Sequence, residues 1–456
     1  MCLHREEPTY PVSVNLSLGL HKMSNNRFIN RCLQHPYYPW LVWGLAASAF
    51  FIEYFARVAP GVMVDSLMHD FKVQALALGS LSAFFYYTYV GMQIPVGILV
   101  DRFSLRWLLT SMIFLCGVSC LIFASTTHLE IAAFARLMMG FGAAFAFVSA
   151  LKVAAVWFPA QKFGLLAGLT QALGMLGAAV GQMPMAYLVE NFGWRNALIF
   201  IAGLMILLSM LVALLVRDPI LPATQAKAKK TLTQSPWSGL MRVLRNPQSW
   251  WNALLAGLLY APTAALAELW GVKFFRQTYD LSNEVAAMGI GLIFIGWTIG
   301  GPLIGWISDK IQRRKIIIIL SASFSLLFAS LVILVPGLPL GVLFSLLFLY
   351  GFANTGVATA YAVASEINPQ SVAGTSVAFA NMASVIIGAG FQPLIGWLLQ
   401  KNWDGVMVQG LPYYSNGDFR SALFILLGCL LLAIFVACGI KETYCRKNKK
   451  KSNSPS

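Results

Sequence analysis

From Tyr38 onward the chain is a succession of apolar runs about twenty residues long or longer, joined by mostly short polar segments. About 20 residues of helix cross the hydrocarbon core of a bilayer. Twelve such runs can be traced, near 38–62, 76–99, 107–126, 129–151, 161–188, 195–216, 249–272, 286–307, 316–335, 339–364, 371–399 and 420–440. Lipid offers the backbone no water, so each run must be helical. Its glycines and prolines are tolerated because neighbouring helices take up the freed backbone groups. Composition agrees: 58% of the 456 residues are hydrophobic and 11% are charged, against about 45–50% and about 25% in a soluble domain. Mean hydropathy is +0.71. Twelve spans absorb about 240 residues, close to the whole apolar content, which leaves none for a second core. The expected fold is all-α and polytopic, with a tail over 1–37, six helices over 38–216, a linker over 217–248, six helices over 249–440 and a basic tail over 441–456.

The net charge of +15 raises the question of nucleic acid. Its distribution answers it. With the N-terminus inside, the tails and the loops on that side hold 24 of the 32 Lys and Arg, and the opposite side holds six: Lys72, Arg195, Lys273, Arg276, Lys401 and Arg420. Such an excess places both termini in the cytoplasm, in what is expected to be a bacterial inner membrane. The basic residues Arg446, Lys447, Lys449, Lys450 and Lys451 then meet anionic lipid headgroups, and no nucleic-acid role is expected. The first 36 residues lack the apolar core of a signal peptide, so the first span is expected to direct insertion, and Met23 offers an alternative start. The seven cysteines form no CxxC, and Cys116 and Cys120 share a helix face as packing residues; no disulfide or zinc framework is expected.

An internal duplication is present. Residues 157–182 align without a gap to 367–392, placing Pro159 on Pro369, Gly164 on Gly374, Gln171 on Asn381 and Gln182 on Gln392. GILVDRFSLR (97–106) aligns with GWISDKIQRR (305–314) within two residues of the same offset. Two parallel six-helix halves are one of the repeat architectures of secondary transporters, whose solute site lies at midplane between them.

These loops resemble the signature G-x-x-x-D-[RK]-x-G-x-[RK]-[RK] of the major facilitator superfamily. Gly97, Asp101, Arg102 and Arg106 match it, as do Gly305, Asp309, Lys310, Arg314 and Lys315. Ser104 and Gln312 stand where the family has its second glycine. RLMMGFGAA resembles the fourth-helix signature through Arg136, Gly140, Gly142, Ala143 and Ala144, with Met139 replacing its polar residue. The fifth span has Gly174, Gly177 and Gly181 but not the Gly-Pro pair typical of antiporters, which argues against drug export. The resemblance covers the chain from about residue 38. It implies a monomeric transporter working by alternating access without a cofactor. Independently of it, Gly97 and Gly305 let a neighbouring helix approach, and Asp101 and Asp309, just beyond their helices, can meet an Arg or a helix N-terminus. Such a contact would latch the halves in one state and release in the other.

Charged residues inside the spans are costly and mark function or interior pairing. Glu53 and Arg57, four residues apart, lie on one face of the first span. The resemblance implies that this helix lines the central cavity. Arg57 is then a candidate for an anionic solute group, and Glu53 for a proton or a solute amine; the alternative is a self-neutralising pair. Tyr54 adds a hydroxyl. The resemblance implies that Arg136 tunes a nearby carboxylate in proton coupling; the alternative is an arginine tying helices together. Gln171 and Asn381, equivalent under the repeat, are candidates for the solute or for helix pairing, and Tyr86, Tyr87, Tyr89, Tyr260 and Tyr361 are candidate cavity liners. Glu268 and Lys273, at the outer end of the seventh span, read as interface residues.

The reading is a secondary transporter of an organic anion or a zwitterion, symporting protons; the alternatives are a dipeptide or amino-acid uniporter and a transport-inactive sensor. No GxxxxGK[ST] is present, so ATP does not drive it. No catalytic signature is present, and His4, His21, His35, His69 and His128 all fall in tails or loops, so no enzyme is expected. An arginine in the first span resembles the organic-anion symporter and sugar-phosphate branches. Residues 140–159 resemble the branch of lysosomal dipeptide transporters, but no acid on the fourth helix or arginine on the fifth accompanies them.

Overall fold

A computed structural model describes residues 35, 37–218, 236–408 and 410–445, without side-chain detail at Ile94, Asp101, Ala160, Gln161, Gly164, Pro236, Trp237 and Ser371. The expectations for the rest of the N-terminal tail, for 219–235 of the linker and for the basic run from Arg446 lie outside the described residues. Residues from Val42 onward form one compact unit; the described residues up to Leu41 belong to another and begin the first helix.

The first six spans are α1 (Tyr38–Val62), α3 (Ala75–Arg102), α4 (Leu105–Ser125), α5 (Leu129–Trp157), α6 (Ala160–Phe192) and α7 (Trp194–Leu215), with a short α2 (Val64–Phe71) between the first two. After α8 (Pro236–Leu244) come α9 (Pro247–Pro262), a wide π-helical turn (Thr263–Trp270) and α10 (Gly271–Tyr279), which together make one span. Beyond it lie α11 (Asn283–Ile311), α12 (Arg314–Leu334), α13 (Leu340–Asn354) with α14 (Gly356–Ile367), α15 (Ala373–Asn402) and α16 (Asn416–Gly439). Among the described residues, eleven helices are long and apolar enough to cross a membrane. The twelfth, α3, is 28 residues long; Tyr86, Tyr87, Thr88 and Tyr89 dilute its hydropathy. The molecule is a twelve-span, all-α integral membrane protein. Several helices start at local signals: Ser282 accepts from the Val285 amide, and Ser415 and Asp418 form a capping box.

The structure corrects several expected boundaries. The expected 217–248 linker contains α8, held down by Val243 against Val372 and Phe379. The seventh span runs to Tyr279 and is interrupted by the π turn, and the tenth breaks at Thr355. Asp101 and Asp309 lie in the last turns of α3 and α11, not beyond them. A hairpin of β1 (Met407–Val408) and β2 (Leu411–Pro412) joins the last two spans.

The halves meet through α3 against α15 and α6 against α11, the two contacts that the repeat exchanges. Glycines make the close approach. A Cβ at Gly61, Gly79 or Gly396 would collide with the backbone of Glu268, Gln392 or Ala75 of the opposite half, and one at Gly291 would press tightly on that of Ala179. Small residues at helix interfaces permit this contact in lipid. All four glycines lie in the parts of their helices farthest from the basic loops. Within one half, Gly174 and Gly177 seat α6 against Phe50, Phe51 and Tyr54, which fixes α1 in place.

Candidate functional site

Arg57 lies on α1 five residues before its end and is buried, 3% exposed. Its Nη2 donates to the Tyr260 hydroxyl of α9 at 3.1 Å, and its Nε lies 3.7 Å from Glu268 Oε1 in the π turn. Glu268 is 1% exposed. It accepts from the Tyr260 hydroxyl at 2.7 Å and from the Tyr86 hydroxyl of α3. The guanidinium also stands 4.9, 5.1 and 5.3 Å from the rings of Tyr54, Tyr86 and Tyr89. A desolvated ion pair is tolerable only with such further partners, and aromatic faces add attraction for the cation. The site therefore holds one cation and one carboxylate from opposite halves, inside a tyrosine collar.

Glu53 is not the partner of Arg57. The self-neutralising pair on one helix is replaced by a pair between halves, because Tyr260 and the π turn bring Glu268 to the guanidinium. Glu53 instead borders a cavity of ≈ 10 Å³ within the first half, lined by Leu109, Met112, Ile113 and Cys116 of α4, Ala146 of α5 and Met205 of α7. That is about the room one water needs. Both Glu53 oxygens are buried and have no protein hydrogen-bond partner among the described residues. The solute-amine role expected of Glu53 has no support in this placement.

Glu268 is an interface residue, as expected, but lies deeper in its span than the sequence reading places it. A span ending at 272 would put it at the outer end, where an acid reads as interfacial. The helix continues to Tyr279, which puts Glu268 three turns from its end. The available signal is a carboxylate inside a long apolar run. Lys273 does bridge the halves: its Nζ is 2.8 Å from Asp65 of α2, which Arg276 also reaches at 2.7 Å. Burial alone would raise the Asp65 carboxyl, but the two cations outweigh it and hold it below the usual range. Asn283 donates to the Val62 carbonyl at 3.1 Å on the same side, and the Ala75 amide donates to the Tyr414 hydroxyl at 3.3 Å.

The other candidates are spread out. Arg136 donates to the carbonyls of Ala56 (2.9 Å) and Ser82 (3.3 Å) and lies over the Phe85 ring, tying α1, α3 and α5 together. Asn381 accepts from Tyr361, whose hydroxyl also bonds Ser384 at 2.8 Å. Gln171 and Tyr87 are exposed. The equivalent amides Gln171 and Asn381 are thus in different settings.

The duplicated loops are each tied within their own half. Arg314 pairs with Asp309 at 2.7 Å and with Glu366 of α14 at 2.8 Å. Arg106 donates to the Ala213 carbonyl, and Lys310 lies over the Trp306 ring. Arg102 is exposed. A carboxylate three residues past α7 and another three past α16 cap the helices after the loops. Asp218 accepts from Ser104 and from the Arg106 amide, and Glu442 accepts from the amides of Arg314 and Lys315 at 2.7 and 3.0 Å. Gly97 and Gly305 would give a Cβ open space, so the close helix approach expected at them is absent in this conformation.

The Major Facilitator Superfamily model matches residues 46–393. The chain is 23% identical to the uncharacterized transporter YybO of Bacillus subtilis, over 88% of this chain and 95% of that one. It is 22% identical to the probable sulfoacetate transporter SauU of Cupriavidus necator, over 60% and 66%. It is 25% identical to the membrane sensor protein UhpC of Salmonella typhimurium, over 80% and 85%. Among solved structures it resembles a bacterial homologue of the human lysosomal transporter Spinster, in an inward-facing, unoccupied conformation. The TM-score is 0.74 and the identity 15%, covering 91% of this chain and all of that one.

Proposed function

The chain belongs to the Major Facilitator Superfamily, a family of membrane transporters, and on that premise we propose that it moves a small organic anion by alternating access coupled to protons. The observation that carries this reading is the buried Arg57–Glu268 pair between the halves. Glu268 occupies the place on Arg57 and Tyr260 that a solute carboxylate or sulfonate would take, so solute and Glu268 compete for one cation. Entry of the anion displaces Glu268, which leaves an unpaired buried carboxylate, and protonation relieves that cost. Proton uptake is thereby tied to solute binding. Tyr54 lines the same cage. Glu53 is a second proton site, with Arg136 holding α1 beside it. The similarity to the sulfoacetate transporter supports the anion class. An excess of Lys and Arg in the loops on the side where Gly97 and Gly305 face open space supports a cytoplasmic position for that side, in a bacterial inner membrane.

The test is uptake of sulfoacetate and sugar diacids into proteoliposomes with and without an inward proton gradient. Wild type should accumulate an anion only with the gradient. Arg57→Ala should abolish binding, and Arg57→Lys should recover part of it, since a point charge replaces a planar fork. Full-affinity binding by a folded Arg57→Ala protein would overturn the reading. The similarity to UhpC favours one other reading, a sensor. Binding that depends on Arg57, with no solute movement in either direction, would select it.

A further inference from the structure

The repeat-equivalent glutamines Gln182 and Gln392 take no part in the solute cage, yet both are fully buried and both end on the π turn. Gln392 Nε2 donates to the Ala264 carbonyl at 2.9 Å, and Gln182 Nε2 reaches the Ala267 carbonyl at 3.5 Å. Trp270 of the turn donates back to the Gln392 carbonyl at 2.9 Å. The Ala267 carbonyl belongs to the peptide immediately before Glu268. One glutamine comes from α6 in the first half and the other from α15 in the second.

The turn needs holding. Pro262 has no N–H to give the helix, and the chain widens behind it, the Gly271 amide bonding the Leu266 carbonyl five residues back. Just before the proline, the Leu259 carbonyl accepts from Asn354 at 3.0 Å. A π turn carries extra residues relative to a regular helix, and each residue of slippage rotates the downstream helix by about 100°. Regularising it would swing Glu268 away from Arg57 and Tyr260, and would turn α10, with Lys273 and Arg276, away from Asp65.

We infer that Gln182 and Gln392 are positioning residues: one from each half, they fix the register of the π turn and so hold Glu268 at Arg57. This rests on the reading of Arg57 and Glu268 as the solute site. It adds that the turn links that site to the ion pairs at Asp65, under the grip of both halves.

Infrared spectroscopy of full-length protein in lipid, with Glu268 isolated by subtracting the Glu268→Gln spectrum, tests this without any solute. Gln182→Met and Gln392→Met should each shift the frequency of the Glu268 carboxyl band, because the carboxyl then has a different set of hydrogen-bond partners. The shorter Gln182→Asn and Gln392→Asn serve if a methionine variant does not fold. An unchanged band in folded variants at both positions would overturn the proposal and leave the glutamines as packing residues. Failure of the Arg57→Ala binding test would remove the solute reading while leaving this result standing, because the band is read with no anion present.

Discussion

Arg57 and Glu268 are the residues on which the proposed site depends, and their energetics are opposed. Together each satisfies the other; alone, each is a buried charge. Breaking a buried pair costs about 3–5 kcal/mol. Glu268→Gln should therefore lower the thermal stability of the anion-free protein, and an organic anion should restore much of the loss by replacing the missing carboxylate. Melting curves with and without sulfoacetate measure this; equal anion stabilisation of wild type and variant would show that the anion does not replace Glu268. Two further residues show how one sequence departure has two physical outcomes. Gln312 stands in for the family glycine with a left-handed φ of 55°, a conformation costing an L-residue about 1–2 kcal/mol. Ser104, at the equivalent place, has φ −57° and caps α4 by accepting from the Trp107 amide. Gln312→Gly should stabilise by about 1 kcal/mol, whereas Ser104→Ala should destabilise by about 1 kcal/mol. Unfolding of both variants in one detergent decides it, and a change of the same sign in the two would contradict the assigned roles.

At the level of elements, α2 matters more than its eight residues suggest. It offers Asp65 to Lys273 and Arg276 of α10, joining the halves on the side away from the basic loops. Because these cations depress the Asp65 carboxyl below its ordinary value, the contact's stabilisation is present above the unfolded pKa of about 3.9 and is lost as pH falls through the lower folded value. The latch should hold unchanged from neutral pH down to about 4, so acid-driven opening above that range must act elsewhere. Spin-label distances across this mouth should be constant over that range in wild type and lengthen at neutral pH in Asp65→Asn. Distances that lengthen in wild type well above about pH 4 would assign the latch to another group. The elements also show what the sequence conceals. The spans were legible because each had to bury a backbone in lipid. The π turn was not, since Thr263–Trp270 is as apolar as its flanks apart from Glu268. Nor were the caps Asp218 and Glu442, whose partners are more than a hundred residues away and set by tertiary packing. Arg57 was legible as a charge in lipid; its true partner required knowing where the seventh span ends.

Across the whole molecule, the duplication predicts opposite consequences for glycines near opposite ends of the spans. In this conformation Gly79 and Gly396 lie against Gln392 and Ala75 of the other half, so any larger residue there must push the halves apart. Gly97 and Gly305, at the basic-loop end, face open space and would accept a side chain without displacement. Alternating access requires the second end to close when the first opens, which brings Gly97 and Gly305 to the close approach that Gly79 and Gly396 now make. Gly79→Val should therefore deplete the conformation described here, and Gly97→Val should deplete the other. A ligand or substitution that disfavours one state by about 1.4 kcal/mol moves the ratio tenfold. Label pairs at both mouths of each variant report the two populations directly. The expected result is a shorter distance at the basic-loop mouth in Gly79→Val and a longer one in Gly97→Val, relative to wild type. Shifts of the same sign in both variants would mean that the two ends do not alternate, and that the glycines of the repeated loops serve insertion or folding instead of gating.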